Sequence, residues 1–223
     1  LKHKNHYELP ALPVSLEAAV KTFVLCRAIR VLRGDATSHN SMLVNASRFV
    51  SVQGELRNAI HNLLDNTVRH IRFNAKKSTP EALKNEELAS LHEVWQREYS
   101  DLEFTWPDIQ RVLLETAAPI KVVEVNSKSA GQLNYSDYED TGLHVIAVGG
   151  FSLSRGLTLE GLSVSYFLRN SMMYDTLLQM GRWFGYRPGY EDLCRVWVSP
   201  DAEGWYEHIS ESIEELRDEI RKM

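Results

Sequence analysis

Short apolar runs alternate with longer amphipathic segments along this 223-residue chain, and this alternation is what most constrains its fold. Short apolar runs, in most cases rich in β-branched or aromatic residues, are typical of buried strands, and they lie at 41–46, 121–125, 143–148, 162–168 and 193–198. Apolar residues spaced three and four apart predict amphipathic helices, at 15–33, 52–74, 172–183 and 203–223. Since strands that alternate with helices form mainly parallel sheets, the sequence predicts an α/β, doubly wound domain.

A block of helical patterns at about 79–118 interrupts this alternation. It begins with Thr79 and Pro80, which have the residue types of a helix cap and a first helical position, and it ends before Pro119. Elsewhere the strands are separated by single helices, so the block indicates a helical insertion into one α/β unit. We expect a single domain over residues 1–223, with helices flanking the sheet unit at both ends.

Composition and charge exclude several classes of protein. Cys26 and Cys194 are too few for a disulfide framework and too far apart for a thiol metal motif. No segment approaches a signal peptide or a transmembrane span. The chain begins at Leu1, and we expect it to be part of a larger cytoplasmic protein without a membrane partner. A net charge of -5 argues against a surface that is basic throughout, but it allows a local basic groove.

Two groups of cations lie near the ends of the first two predicted helices. The first group is Arg27, Arg30 and Arg33, and the second is Arg69, Arg72, Lys76 and Lys77. Cations at a helix end complement the helix dipole. We therefore expect solvated stripes, although the second group could also face a phosphate backbone.

The chain lacks the phosphate loop that a complete ATPase needs after a strand. The nearest match, 156–163, has Leu162 in place of the lysine and precedes a predicted strand. Glu124 with Lys128 is a poor substitute for the converging carboxylates of a metal-dependent nuclease, and His39 lacks partner histidines. We expect no metal site in this chain, and no ATP hydrolysis by it alone.

A loop rich in glycine and hydroxyl groups follows the predicted strand at 143–148. It contains Gly149 and Gly150, the Arg-Gly step Arg155-Gly156, and the hydroxyls of Ser152, Ser154 and Thr158. Glycine allows the backbone to approach a ligand closely, and hydroxyls can bind phosphate or ribose. Ligands of open α/β sheets bind at the carboxyl ends of strands, so the loop is a candidate site. Paired glycines after a strand also form plain turns.

The helix predicted at 172–183 ends in a segment with two arginines. This segment includes Gln179, Gly181, Arg182 and Arg187. An arginine is always charged and forks onto phosphate oxygens, so arginines displayed where a helix breaks can stabilise charge during phosphoryl transfer. The neighbouring Trp183, Phe184 and Tyr186 could stack on bases, but aromatic residues at a helix end more often pack in a core.

The order of these features resembles motifs five and six of the second RecA-like domain of superfamily-two helicases. Arg155-Gly156 is similar to the Arg-Gly of motif five, and the segment Gln179–Arg187 is similar to motif six. The strand at 41–46, followed by Ser47-Arg48, resembles motif four. Longer stretches, HNSMLVNASRF, VNSKS and the sequence from Gly149 to Arg195, resemble the Z1 domain family, which is found in endonucleases alongside a helicase-type ATPase.

The resemblance implies a lobe of a DNA-dependent, helicase-like translocase in a restriction or phage-defence endonuclease, with other defence subunits as further partners. ATP and Mg²⁺ would be held mainly by an N-terminal ATPase lobe of the same polypeptide. The resemblance assigns catalysis to Arg182, Arg187 and Gln179, nucleotide contacts to Gly149, Gly150, Arg155, Gly156 and Thr158, and DNA contacts to Ser47, Arg48, Ser152 and Ser154. The spacing in motif six leaves open which arginine is the finger.

The alternative is a non-catalytic scaffold or protein-interaction module of RecA-like shape. Gly149 and Gly150 stand where many relatives carry a Thr-Asp pair, and Thr158 stands where an acid often contacts ribose.

Overall fold

Five parallel strands form one sheet in the computed structural model, which describes residues 11–45, 47, 49–125, 133–150, 158–167 and 187–222. The strands are β1 (Asn40–Asn45), β2 (Lys121–Val125), β3 (His144–Gly149), β4 (Leu162–Phe167) and β5 (Arg195–Val198), in the spatial order β2-β3-β1-β4-β5. Each neighbouring pair is parallel. The predicted α/β fold with a mainly parallel sheet is confirmed.

Six α-helices lie in the described ranges. They are α1 (Val14–Leu32), α2 (Val50–Asn74), α3 (Thr79–Ala82), α4 (Glu86–Tyr99), α5 (Trp106–Ala117) and α6 (Pro200–Lys222). Single turns of 3₁₀ helix occur at Tyr135–Tyr138 and Glu191–Leu193. The helix predicted at 172–183 lies outside the described residues. None of the six helices is both long and apolar enough to cross a membrane.

The main core lies between one face of the sheet and the helices α1, α2, α4 and α5. Met42, Ile146 and Val164 face it from three adjacent strands, and residues of α1 such as Phe23 and Ile29 are fully buried against them. The helices predicted as an insertion pack into this same core, to which they contribute Leu88, Leu91, Ile109 and Leu113. The block at 79–118 is therefore packed into the body of the domain.

A second, smaller apolar cluster covers the opposite face of the sheet. Because successive side chains of a strand point to opposite faces, Leu43, Val145 and Ala147 lie on this side, with Leu133 and Tyr135 packed over them. The register between β1 and β4 shifts between Ser41 and Met42, which is a local irregularity of the kind that redirects side chains. Apolar packing on both faces is what a buried parallel sheet requires.

The arginines of α1 are not the solvated stripe that the sequence predicts. Arg27 and Arg30 are 5% and 3% exposed, because α1 is a central helix that packs against α4, α5 and β4. The Nε atom of Arg27 donates to the carbonyl of Thr116 at 3.2 Å. Arg33 is more accessible, and it donates to both Glu103 and Asp192. The arginines near the end of α1 therefore connect this helix to the segments that contain Thr116, Glu103 and Asp192.

Candidate functional site

The carboxyl ends of β1 and β3 bring several of the predicted site residues together. Asn45 at the end of β1 lies opposite Gly149 at the end of β3, and Gly150 forms a buried bend directly after it. Ser47 follows β1 and is 3% exposed. The segments that resemble motif four and the start of motif five are thus neighbours at one edge of the sheet, as expected for adjacent parallel strands.

The hydroxyl of Ser47 takes part in the turn that starts α2. Its Oγ accepts a hydrogen bond from the backbone amide of Phe49 at 3.1 Å, and its carbonyl accepts one from Gln53 Nε2 at 2.9 Å. Side-chain contacts of this kind are typical of turns that lead into helices. Ser47 therefore shapes this edge from a buried position.

Two buried acceptors at the same edge were missed by the sequence reasoning. Within the described part of the chain, Asn45 Oδ1 and Gln53 Oε1 have no hydrogen-bond partner, and both residues are less than 5% exposed. An unsatisfied buried polar atom costs about 1 to 3 kcal/mol. In the sequence, Asn45 stands out only as a polar residue at the end of an apolar run, and Gln53 only as a polar residue near the start of a helix.

Arg187 and Thr158 belong to the opposite, amino edge of the sheet. The Nε atom of Arg187 donates to the carbonyl of Leu162, the first residue of β4, at 3.1 Å. Thr158 is exposed and lies four residues before β4 begins. A six-residue strand is about 20 Å long, so Arg187 lies far from Gly149 and Gly150.

The predicted nucleotide contacts are therefore divided between the two edges. Gly149 and Gly150 lie at the carboxyl edge, whereas Thr158 precedes the amino edge that carries Arg187. The physical reason is topological, since a chain that leaves one parallel strand must cross the sheet before entering the next. The remaining predicted site residues, Arg48, Ser152, Ser154, Arg155, Gly156, Gln179 and Arg182, lie outside the described residues.

A cavity of about 380 Å³ opens at the amino edge beside Arg187. It is lined by Arg30, Asp35, Ser38, His39, Glu160, Gly161, Pro188 and Tyr190. The chain approaches itself closely here, since a Cβ atom on Gly161 would lie 1.8 Å from the carbonyl oxygen of His39. Apart from the arginine of α1 and His39, the sequence gives little sign of this group, because its members come from three distant segments.

Arg30 is held by three contacts in the cavity wall. Its Nη2 lies 2.6 Å from Asp35 Oδ2, its Nη1 donates to the carbonyl of His39 at 3.0 Å, and its guanidinium lies 4.3 Å from the ring centroid of Tyr190. Burial raises the pKa of Asp35, but hydrogen bonds from Ser38 and Arg30 outweigh it and bring the pKa below its usual value. The wall thus holds a fixed ion pair.

His39 is held in one tautomer by the backbone. Its Nδ1 accepts a hydrogen bond from the amide of Leu143 at 2.9 Å, so the proton of the neutral ring lies on Nε2. Nε2 lies 3.7 Å from Glu160 Oε2. In this tautomer His39 can donate to a ligand but has no nitrogen available as a base, which indicates binding chemistry.

Two buried basic side chains, His144 and Arg27, lie near the cavity wall. His144 is 4% exposed, and burial together with the charge of Arg27 lowers its pKa to about 3. Burial also lowers the pKa of Arg27, to about 10. The described residues contain no group of three or more His, Cys, Asp or Glu side chains that could hold a metal ion.

The amino edge combines arginines with carboxylates. Arg187 is anchored through Nε at the start of β4, and the neighbouring Pro188 lines a cavity whose wall contains Arg30 together with Asp35 and Glu160. Guanidinium groups suit phosphate oxygens, but Asp35 already pairs with Arg30, so the carboxylates of this wall offset the charge of its arginine.

Comparisons with curated proteins and with solved structures gave no significant match. A protein-family model described as the Z1 domain matches residues 15–223. The match includes every described strand and helix except the first residue of α1. On this match over nearly its whole length, the chain belongs to the Z1 domain family.

Proposed function

We propose that the chain is the second RecA-like lobe of a DNA-dependent, helicase-like ATPase within an endonuclease of a restriction or phage-defence system. The observation that carries the proposal is the position of Arg187, which is anchored on the carbonyl of Leu162. Thr158, which follows the Arg-Gly step in sequence, lies four residues before the same strand. In this proposal the segments that resemble motifs five and six would supply one half of a nucleotide site at this edge.

In this proposal the amino edge faces an N-terminal ATPase lobe of the same polypeptide, which holds ATP and Mg²⁺. Bound ATP supplies the phosphoryl group that is transferred to water. Arg187, with Arg182 and Gln179, would bind the terminal phosphate and stabilise its developing charge, which is worth about a thousandfold or more in turnover in enzymes of this type. Thr158, Arg155 and Gly156 would border the nucleotide.

The carboxyl edge would carry the DNA contacts. Ser47, Gly149 and Gly150 shape this edge, and Arg48, Ser152 and Ser154 would contribute contacts to the phosphate backbone, which do not read sequence. DNA and ATP would therefore be bound at opposite ends of the same strands. We expect the protein to act in the cytoplasm, in keeping with its free thiols at Cys26 and Cys194.

The test is DNA-stimulated ATP hydrolysis by the full-length protein carrying Arg187→Ala, Arg187→Lys or Arg182→Ala. At least one alanine variant should lose about a thousandfold in turnover, and Arg187→Lys should not restore it, because lysine lacks the planar fork. Arg111→Ala removes an exposed cation of α5 and should leave turnover unchanged. Thermal unfolding of each variant checks that loss of the contact to Leu162 has not unfolded the domain. Near-normal turnover in both alanine variants would refute the finger role.

A scaffold module remains the second candidate, and specific observations favour it. Ser47 is buried and bonded to its own turn, and the charged groups of the cavity wall already bind one another. Hydrogen exchange in the full-length protein distinguishes the two functions. If ATP analogues protect the other lobe but leave residues 149–158 and 179–187 unchanged, the scaffold function is correct.

A further inference from the structure

The end of α2 carries an exposed basic stripe that the proposed function does not use. Arg69, Arg72, Phe73 and Lys76 are all exposed, with Lys77 beside them. Their spacing of three and four residues puts Arg69, Arg72 and Phe73 on one face of α2, over a length of about 6 Å. Lys76 and Lys77 lie in the turn directly after the helix ends at Asn74. We call these five residues the α2 stripe.

Phe73 makes this surface unusual, because 69% of the residue is exposed. Cations alone at this position are explained by the helix dipole, but the dipole gives no reason for an exposed aromatic ring. A ring among cations is the combination that binds single-stranded nucleic acids, in which bases stack on the ring and phosphates contact the cations.

The cations of the stripe have few competing partners. Among the described residues, Asp65 pairs with one of these cations, and its Oδ2 lies 2.8 Å from Nη2 of Arg69. Both side chains are 62% exposed. Exposed ion pairs of this kind add little to the stability of the fold, so a phosphate can replace the carboxylate of Asp65. Four cations and one carboxylate between residues 65 and 77 also contrast with the net charge of -5 for the chain.

The turn that carries Lys76 and Lys77 is fixed from beneath by Gln110. Gln110 is 4% exposed, and its Nε2 donates to the carbonyls of Ala75 and Lys77, each at 2.9 Å. Thr79 Oγ1 in turn donates to Gln110 Oε1 at 3.0 Å. Since Gln110 satisfies these carbonyls, the lysines are not needed to cap them. The stripe is therefore held in place before any ligand binds.

We propose that the α2 stripe binds a single strand of nucleic acid, with one base stacked on Phe73 and phosphates on Arg69, Arg72, Lys76 and Lys77. α2 begins after the carboxyl end of β1 and is 25 residues long, about 37 Å. It thus extends past the amino edge of a sheet about 20 Å high. This contact is separate from the DNA contacts proposed at the carboxyl edge, and it does not depend on ATP hydrolysis.

The test measures the anisotropy of labelled oligo-dT and oligo-U, about 20 nucleotides long, with the full-length protein at several salt concentrations and without ATP. Phe73→Leu keeps an apolar side chain but removes the ring, and it should weaken binding about fivefold or more, whereas Phe73→Tyr should bind like the wild type. Comparing the two oligonucleotides distinguishes DNA from RNA as the strand.

The cations are tested with a charge-matched pair of triple variants. Arg72→Gln, Lys76→Gln and Lys77→Gln together should weaken binding and make the salt dependence shallower by about 2 in the log-log slope. The control, Arg57→Gln with Arg97→Gln and Arg111→Gln, removes three exposed cations elsewhere and should have little effect. Equal losses in both triple variants, or unchanged binding by Phe73→Leu, would overturn the proposal.

A photocrosslink provides a readout that depends on position. An oligonucleotide with 5-iododeoxyuridine, irradiated with the protein and digested with trypsin, should label the peptide that begins at Phe73. Labels confined to other segments would contradict the proposal, and so would equally tight, Phe73-independent binding of duplex DNA. If Phe73→Leu and the triple variant of the stripe bind the oligonucleotides like the wild type while Arg187→Ala still abolishes ATP turnover, the stripe proposal is refuted and the ATPase proposal stands.

Discussion

Replacing Gly161 with alanine should destabilise the protein by about 3 to 4 kcal/mol, because the amino edge has no room for a methyl group. The added Cβ would lie 1.8 Å from the carbonyl oxygen of His39, and real Cβ contacts are essentially never shorter than 3.0 Å. The φ angle of Gly161 is +64°, which costs a residue other than glycine about 1 to 2 kcal/mol.

Steric relief would require the 160–161 turn to move away from β1. That movement breaks the hydrogen bonds from the Ser41 amide to the Gly161 carbonyl at 3.0 Å and from Ser41 Oγ to the Glu160 carbonyl at 2.7 Å. Each is worth about 1 kcal/mol. Together with the backbone strain, these losses give the expected magnitude.

The matched control is Gly34→Ala. Gly34 has a φ of +86°, yet an added Cβ would meet nothing within 4 Å, so this variant should lose only the strain of about 1 to 2 kcal/mol. Urea unfolding followed by circular dichroism gives both free energies. Equal losses in the two variants would show that the close approach at His39 does not govern the stability of this edge.

Two further predictions concern buried polar groups. Gln110→Leu should cost about 2 kcal/mol in urea unfolding, because it leaves the Ala75 and Lys77 carbonyls and the Thr79 hydroxyl without their partner; a loss below 0.5 kcal/mol, roughly the effect of a neutral surface change, would contradict this. Stability should also fall as the pH drops below about 6.5, since burial lowers the pKa of His144 to about 3, and the unfolded chain then binds a proton that the folded chain does not. Between neutral pH and about pH 5, His144→Gln should remove about 1 kcal/mol of this loss of stability, after allowance for solvent screening. If the pH dependence of stability is the same in the variant, His144 is not its cause.

The strands were predictable to within about two residues because each is a short apolar run, in most cases rich in β-branched or aromatic side chains, between polar residues. The run at 121–125 became β2, and the run at 41–46 became Asn40–Asn45. Helix caps were less predictable, because they depend on the neighbouring tertiary structure. Thr79, expected as a cap, is the first residue of α3, and Ser78 occupies the cap position. Ser15, the first residue of the helix predicted at 15–33, lies inside α1 and hydrogen-bonds to the Tyr166 hydroxyl at 2.9 Å.

The candidate site was predicted by proximity in sequence, whereas the positions of its described residues depend on the topology of the sheet. Gly150 and Thr158 are eight residues apart and suggested one nucleotide loop, but parallel strands require the chain to cross the sheet between them. The cavity depends on Arg30, His39 and Glu160, which only the β1-β4 pairing and the end of α1 bring together. Periodicity reports one apolar face of a helix, whereas α1 is buried around most of its surface, so the burial of Arg27 and Arg30 could not be predicted.

The central position of α1 has a consequence for how the chain folds during synthesis. α1 is the first described helix, yet some of its partners come much later, since Ser15 and Tyr166 are 151 residues apart and Arg33 and Asp192 are 159 apart. At about 5 to 20 residues per second, a ribosome needs roughly 8 to 30 seconds to deliver Tyr166. During that interval the part of α1 that packs on β4 lacks this strand, so this part of the helix is where a chaperone would be expected to bind the nascent chain.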